Sequence, residues 1–430
     1  MIFFSRIALH TLVNNRRQYV SLFSVCIAGI TIMLSALWVT DGMLKAVHNK
    51  SKQYYGGDIT LMGGDINYSL GDAPGLIQTL KGFLPEDVTY YSRIDYDARK
   101  SYIFFEGMTV RQRMAKGVDF EAEKDLFSAF DFVEGNAEPS PDHNNIIISK
   151  AIAARLGVRA GDTVTYQVYT DKGYKNTINL VISGIFNNNS LFGIYTLYID
   201  IQALRKVTVR PDNYVNRICM YFEDRNPAPD TIAQLQQSLS QVLPMYPKYD
   251  CKKEFYHYID YDMPREDISY ALISLDANIS DLQLLIDAIK AVVLLIIIVL
   301  MVIISVGIGS TYKIIIMKRI TEIGTYRALG MKPGSVKFLF LTESFYLLVA
   351  GFFAALLMTG LIMGLLTQFS FSFIPAMDIF LENGRLRPTA SALKSVTLFF
   401  IIAVTTISSM LFTIRNVVSI SPVGALATTT

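Results

Sequence analysis

Side chains able to do chemistry are few and scattered in this sequence of 430 residues. His10, His48, His143 and His257 have no ligand partners at metal-binding spacing, and Cys26, Cys219 and Cys251 lie far apart. No H-E-x-x-H, C-x-x-C or G-x-S-x-G occurs, so neither metal hydrolysis nor serine acyl transfer has its set of residues. Nor is there a G-x-x-x-x-G-K-[ST]. The nearest glycine cluster, Gly56 to Gly64, lacks the lysine a phosphate cradle needs and reads as a strand flanked by turns. Asp58, Asp65, Asp72, Asp95 and Asp97 read as surface or turn carboxylates, because charges on a folded domain are usually solvated. The expectation is a non-enzymatic chain that binds no metal or cofactor. A net charge of +2 gives no reason to expect a nucleic-acid partner.

Two features point to contacts with other proteins or helices. In Lys318-Arg-Ile-Thr-Glu-Ile-Gly-Thr-Tyr-Arg-Ala-Leu-Gly330, Ile320, Ile323, Tyr326/Arg327 and Leu329/Gly330 trace one helical face. Gly330 can end that helix, and Pro333 can start the next. The small residues Gly324, Ala328 and Gly330 favour close contact with a partner protein over burial among lipid headgroups. Glu343 interrupts an apolar run about 12 Å into a helix starting near Ser335. It either meets a partner or another span, or snorkels to the headgroups.

These residues sit among four apolar runs, each near the length of about 20 residues that a membrane helix needs. The runs are Val20–Thr40, Ala291–Ile308 (extending to Tyr312), Phe338–Leu366 and Val396–Ile414. Arg6, Arg16 and Arg17 precede the first. Lys313, Lys318, Arg319, Arg327, Lys332 and Lys337 lie between the second and third, which places both segments in the cytoplasm. Arg385, Arg387 and Lys394 weakly oppose that rule. The first run is too long for a cleaved signal peptide and reads as an anchor.

The expected organisation is a cytoplasmic N-terminal segment at 1–19, a first span at 20–42 and an extracytoplasmic domain with stalk helices at 43–285. A second span follows at 286–312, a coupling segment at 313–337 and a third span at 338–366. An outer loop at 367–393, a fourth span at 394–414 and a cytoplasmic tail at 415–430 complete it. The fold class is thus an α-helical membrane protein with four transmembrane helices plus a large α+β extracytoplasmic domain. That domain carries 25 Lys and Arg against 31 Asp and Glu and is long enough to bury its own core.

Within it, Asp58–Met62, Val88–Tyr96, Asn145–Ser149, Thr163–Tyr169, Thr177–Phe186, Tyr195–Ile199 and Arg217–Phe222 read as strands. Pro74–Phe83, Ser149–Leu156 and Pro229–Val242 read as helices. Cys219 and Cys251 are either a disulfide pair or two separate small apolar residues. Before the second span, Ile268, Leu272, Leu275, Ile279, Leu282, Ile286 and Ile289 are spaced as a heptad seam. With Asp262 as cap and Pro264 in the first turn, the spacing predicts one helix over 264–312, about 73 Å long, standing above the membrane as a stalk. Asp41 to Tyr54 would supply its neighbour.

The segment Lys318–Gly330 resembles the R-x-x-E-I-G-x-x-R-A-L-G stretch of FtsX/MacB-type permeases of ABC transporters, and Glu343 and Gly351 follow at positions that family uses. Ser149-Lys-Ala-Ile-Ala-Ala-Arg-Leu-Gly-Val-Arg-Ala-Gly-Asp162 is similar to the LA-x-x-L-G-V-x-x-G-D stretch of the lipoprotein-releasing permeases LolC and LolE. Val181–Phe186 resembles their next strand and Ser421–Leu426 their C-terminus. Two departures stand out. MacB carries an ATPase domain before its first span, where 19 residues precede it here. LolC-type subunits carry a hook for a carrier protein, where Tyr169 to Lys175 leaves a short turn.

The resemblance implies a MacB-type periplasmic core domain in an inner (plasma) membrane protein with both termini cytoplasmic. It implies a second permease copy, identical or not, and a separate ABC ATPase that uses ATP and Mg. It also implies a coupling helix in which Lys318, Arg319, Glu322, Ile323, Gly324, Arg327, Ala328, Leu329 and Gly330 meet that ATPase. Stalk helices would carry the motion outward, a lipoprotein or other amphipathic molecule would be the cargo, and a periplasmic carrier a further partner. The alternative is an FtsX-like regulator of a cell-wall hydrolase that moves nothing.

Overall fold

A computed structural model of the chain describes residues 2–14, 16–65, 67–188, 193, 195–223, 227, 229–257, 268–371 and 374–417. The chain begins with helices α1 (Ile2–Asn14) and α2 (Arg16–Tyr55), then β1 (Ile59–Gly64), α3 (Ala73–Lys81), β2 (Val88–Asp97), β3 (Tyr102–Phe105), β4 (Met108–Arg111) and β5 (Met114–Val118). It continues through α4 (Lys124–Ser128), β6 (Phe132–Gly135), β7 (Asn145–Ser149), α5 (Lys150–Leu156), β8 (Thr163–Tyr169), β9 (Lys175–Phe186), β10 (Thr196–Asp200), α6 (Ile201–Thr208) and β11 (Arg217–Phe222). Then come α7 (Pro229–Leu239), α8 (Lys252–His257), β12 (Ser269–Ser274), α9 (Leu275–Asn278), α10 (Ser280–Lys318), α11 (Ile320–Ala328), α12 (Pro333–Leu366), a 3-10 turn (Pro375–Phe380) and α13 (Ala392–Val417). Two compact units result. Residues 1–44, 286–370 and 386–430 form a helical unit, and residues 45–285 and 371–385 form a sheet unit.

In the helical unit, α2, α10, α12 and α13 are each long and apolar enough to cross a membrane. Leu22, Cys26, Ile30, Ile304, Phe340 and Ile402 belong to its buried core. Packing is close. A Cβ placed on Gly29 would lie 2.1 Å from Ile304 Cδ1, so a larger residue there would have to push the end of that side chain aside where α2 meets α10. The Trp38 indole N–H donates to Ser395 Oγ at 3.1 Å, tying α2 to α13. Leu294, Phe353, Leu357 and Val404 face outward on these helices. An outer surface this apolar suits hydrocarbon better than water.

The sheet unit is built on a 12-stranded mixed sheet in the order β12-β1-β11-β2-β5-β10-β7-β9-β8-β3-β4, with β6 on β9. β5 and β10 pair in parallel, as do β7 and β9. Alternation places Val164, Tyr166 and Val168 of β8 inward, and Leu180 and Ile182 of β9 with them. Central strands such as β7, β10 and β11 are buried throughout. β3, β4, β5 and β6, and β12 near the end of the unit, go beyond the expected strands.

The expected stalk helix over 264–312 is corrected. Ile268 precedes β12, Leu272 lies in β12 opposite Leu61 of β1, Leu275 starts the short α9 and Ile279 is its C-cap. The long helix starts at Ser280, so only Leu282, Ile286 and Ile289 of the seam lie in it. Asp262 and Pro264 fall outside the described residues. Spacing of four residues fits a helical stripe and also one face of a strand, since four is a multiple of two. Here Tyr270 and Leu272 turn to the main core while Ala271 and Ile273 join a second cluster. A strand buried on both faces has no polar side to reveal it. Even so, α2 with 40 residues and α10 with 39 are each about 60 Å long at 1.5 Å per residue, twice the hydrocarbon thickness.

Cys219 and Cys251 are free cysteines. Of the carboxylates read as superficial, Asp72 caps α3, but Asp58 and Asp95 are buried, with 1% and 8% of their side chains exposed. Asp58 is paired with Lys52 at 2.6 Å and accepts from the Phe222 N–H at 2.8 Å.

Candidate functional site: the helical junction at Arg319

The segment linking the second and third long helices is a local consequence of its residues. α10 ends at Lys318, Arg319 stands between at φ −104°, and α11 runs from Ile320 to Ala328. Gly330 adopts φ 92°, a left-handed conformation open to glycine at little cost, and Met331 N–H closes on the Tyr326 carbonyl at 3.0 Å. Pro333 occupies the first turn of α12, where its missing N–H is not needed.

Arg319 turns inward. Its Nη1 donates to Glu343 Oε2 at 2.8 Å and to the Tyr19 hydroxyl at 2.9 Å, and that hydroxyl donates to the same carboxylate oxygen at 2.9 Å. The arginine and glutamate side chains are 2% and 0% exposed. Arg319 Nε reaches Glu322 Oε2 at 2.7 Å, and the guanidinium stacks 4.9 Å from the Phe340 ring centre. One step away, the Tyr312 hydroxyl donates to the Phe340 carbonyl at 2.8 Å. A single ionic knot therefore joins α2, the α10–α11 junction and α12. Removing one partner of such a buried pair costs about 3–5 kcal/mol, because the survivor is left charged and dry. The arrangement transfers no atoms. It fixes where α11 starts and in which direction it leaves.

The nine residues expected to meet a partner therefore do not share one surface. Arg319, Ile323 and Gly324 are buried in the chain's own helical unit, so a single small-residue face across Gly324, Ala328 and Gly330 is corrected. Lys318, Ala328, Leu329 and Gly330 are exposed, Leu329 at 81%. Glu322 is 44% exposed at its side chain, and Arg327 is partly buried. Glu343 does not snorkel; it pairs across helices. Tyr19 escaped the sequence reading. The one available signal was that a lone carboxylate in an apolar helix needs a cation and a donor nearby. Among the described residues no three His, Cys, Asp or Glu side chains are grouped to hold a metal.

The second resembling stretch is likewise structural. Ser149 caps α5 by accepting from Ile152 N–H, Gly157 ends α5 at φ 72°, and Asp162 accepts from Arg159 N–H at 2.7 Å as the chain enters β8. The β8–β9 connection is a tight turn in which Thr170 N–H donates to the Tyr174 carbonyl at 2.8 Å.

Comparison with known proteins gives two family matches. Residues 24–238 match the MacB-like periplasmic core domain, and residues 294–422 match the FtsX-like permease C-terminal domain. Among solved structures, the periplasmic region of MacB from Actinobacillus actinomycetemcomitans is similar at 10% identity and a TM-score of 0.32, covering 52% of this chain and 92% of that one. No curated protein matches.

Proposed function

The chain belongs to the family of ABC-transporter permeases with a MacB-like periplasmic core and an FtsX-like C-terminal domain, and on that premise we propose that it couples a separate ATPase to the release of lipoproteins, or similar amphipathic molecules, from the inner membrane. In this reading both termini and α11 are cytoplasmic and the sheet unit is periplasmic, as the basic segments suggest. Two copies, or this chain and a related permease, flank two ATPases that use ATP and Mg.

One observation carries the reading. The end of α11 presents Leu329, 81% exposed, while the start of α11 is locked by the Arg319–Glu343 pair. An apolar knob on a fixed lever suits a groove in a partner protein. Force on it passes through the knot into α2, α10 and α12 together. The extra length of α2 and α10 beyond the bilayer supports their role as the output.

The test uses the full chain purified from membranes with its ATPase. Leu329→Asp is expected to abolish co-purification, while Lys313→Ala, at an exposed position outside the expected contact residues, retains it. Reconstituted in vesicles with a triacylated lipoprotein, the intact complex is expected to release cargo only with ATP. Retention of the ATPase by Leu329→Asp would sink the docking claim. ATP turnover without release of any lipoprotein would sink the cargo claim and favour a hydrolase regulator.

A further inference from the structure

The sheet unit holds a second group of buried charges, and among the described residues it is not balanced. Asp95 of β2 meets Lys116 of β5 at 2.8 Å through one oxygen and Arg217 of β11 at 2.5 Å through the other. One carboxylate therefore serves two cations, whose side chains are only 1% and 7% exposed. A third cation, Lys252 at the start of α8, lies over the rings of Tyr55 and Tyr256 at 4.9 Å and 5.7 Å and has no ion pair among the described residues.

Beside this group opens a cavity of about 850 Å³. Among the described residues five cationic side chains line it, Arg99, Arg111, Arg113, Arg217 and Lys252, against two carboxylates, Asp95 and Asp97. Asp97 is already committed to Arg99, and the Arg113 guanidinium lies 4.7 Å over the Tyr195 ring with no ion pair among the described residues. The cavity wall also includes Gln112, which is 0% exposed. Neither its carboxamide oxygen nor its nitrogen has a protein partner. Folded proteins seldom leave a buried amide wholly unbonded. Burial, and after it Arg217, lower the Lys252 pKa to about 7. An arriving anion would offset both causes.

We propose that this cavity binds a ligand bearing a phosphate group, with Arg113, Arg217 and Lys252 neutralising the phosphate and Gln112 hydrogen-bonding to the ligand. Arginine forks match phosphate oxygens in pairs, and desolvation strengthens each such contact. The volume far exceeds a bare phosphate and is typical of a site for an organic molecule. The tyrosine faces of Tyr195 and Tyr256 suit the attached alcohol. A phosphodiester headgroup has this chemistry. The site belongs to the sheet unit and does not depend on the transport reading.

The test is calorimetric titration of the full chain in uncharged maltoside micelles. The probes are inorganic phosphate, dihexanoyl phosphatidylglycerol and, as control, dihexanoyl phosphatidylcholine. Saturable binding of phosphatidylglycerol is expected, with affinity about tenfold weaker in Gln112→Ala and in Lys252→Met, the scale of one lost charge-assisted hydrogen bond. Competition by inorganic phosphate would identify the oxyanion itself as the ligand. Its failure to compete, with phosphatidylglycerol still bound, would identify the ester headgroup. No saturable binding of either anionic probe, equal binding of phosphatidylcholine, or unchanged affinity in Lys252→Met would each overturn the proposal. Should Gln112→Ala fail to fold, Arg113→Gln takes its place with the same expected loss.

Discussion

Arg319 and Arg217 are both buried arginines paired with a buried carboxylate, one in the helical unit and one in the sheet unit. Arg319 has the buried Glu343 to itself, with the Tyr19 hydroxyl closing the group and the 44% exposed Glu322 outside it. Arg217 has to share Asp95 with Lys116, beside a cavity lined by further cations. The same ion pair thus does different work according to charge balance. A balanced, enclosed knot holds helices in place. An excess of cations on an open wall is ready for an anion. Counting partners on both sides of a buried pair separates these roles where the pair alone does not.

The largest effect should come from unbalancing the enclosed knot. Glu343→Leu leaves Arg319 buried without its main counter-ion and should cost about 3–5 kcal/mol, read as a large fall in the melting temperature of the micellar protein. Arg319→Met combined with Glu343→Leu should recover most of that loss, because the charge that needed a partner is gone. A double variant that melts as low as the single one would show that the knot does more than satisfy charge.

Next is the shared carboxylate. Asp95→Asn leaves Lys116 and Arg217 facing each other and should cost about 3 kcal/mol near neutral pH. Although burial alone would raise it, Arg217 and Lys116 hold the Asp95 carboxyl well below its usual value. A carboxylate lowered on folding stabilises above its unfolded pKa, about 3.9, and that stability is lost as pH falls below it toward the folded value. The parent should therefore destabilise in acid below about pH 4 more steeply than Asp95→Asn. Parallel acid curves for the two would remove Asp95 from the balance.

A smaller effect of opposite sense is expected at Lys252. Its pKa falls on folding to about 7, through burial first and Arg217 second. The unfolded chain therefore holds more protons between about pH 7 and pH 10.4, and stability rises with pH across that window. Lys252→Met should raise the melting temperature at pH 7 and flatten the rise toward pH 10. An identical slope in parent and variant would mean that Lys252 is not desolvated. The least change belongs to Glu322→Ala. Its bridge to Arg319 is 44% exposed on the glutamate side and spans i to i+3, so about 0.3–0.5 kcal/mol is expected. A loss comparable to that of Glu343→Leu would place Glu322 inside the knot.

Much of the helical unit was legible because its signals are local. Four apolar runs, the stop at Gly330 and the start at Pro333 each depend on a few adjacent residues. The knot was half legible. Glu343 announced itself as a charge in an apolar helix, but Tyr19 lies 324 residues from it, and no periodicity links them. In the sheet unit the strands with clear alternation or β-branched runs, such as β7, β8 and β11, were read with their bounds. The short pieces at 102–105, 108–111 and 114–118 were not, since four or five residues carry too little pattern without their partners.

By itself the sequence determined which segments are apolar enough for a bilayer, where Gly and Pro end and start the helices around α11, and that no phosphate loop or metal cluster lies in its motifs. Those properties follow from side-chain chemistry acting over one or two turns. Only the tertiary structure decided that Ser269–Ser274 pairs with β1 rather than extending α10, that Arg319, Ile323 and Gly324 turn inward while Leu329 stays out, and that Asp95 is buried among cations. A strand exists only with its neighbour, and a buried charge only with its partner. Both are chosen by groups from 21 to 324 residues away that the local pattern does not record.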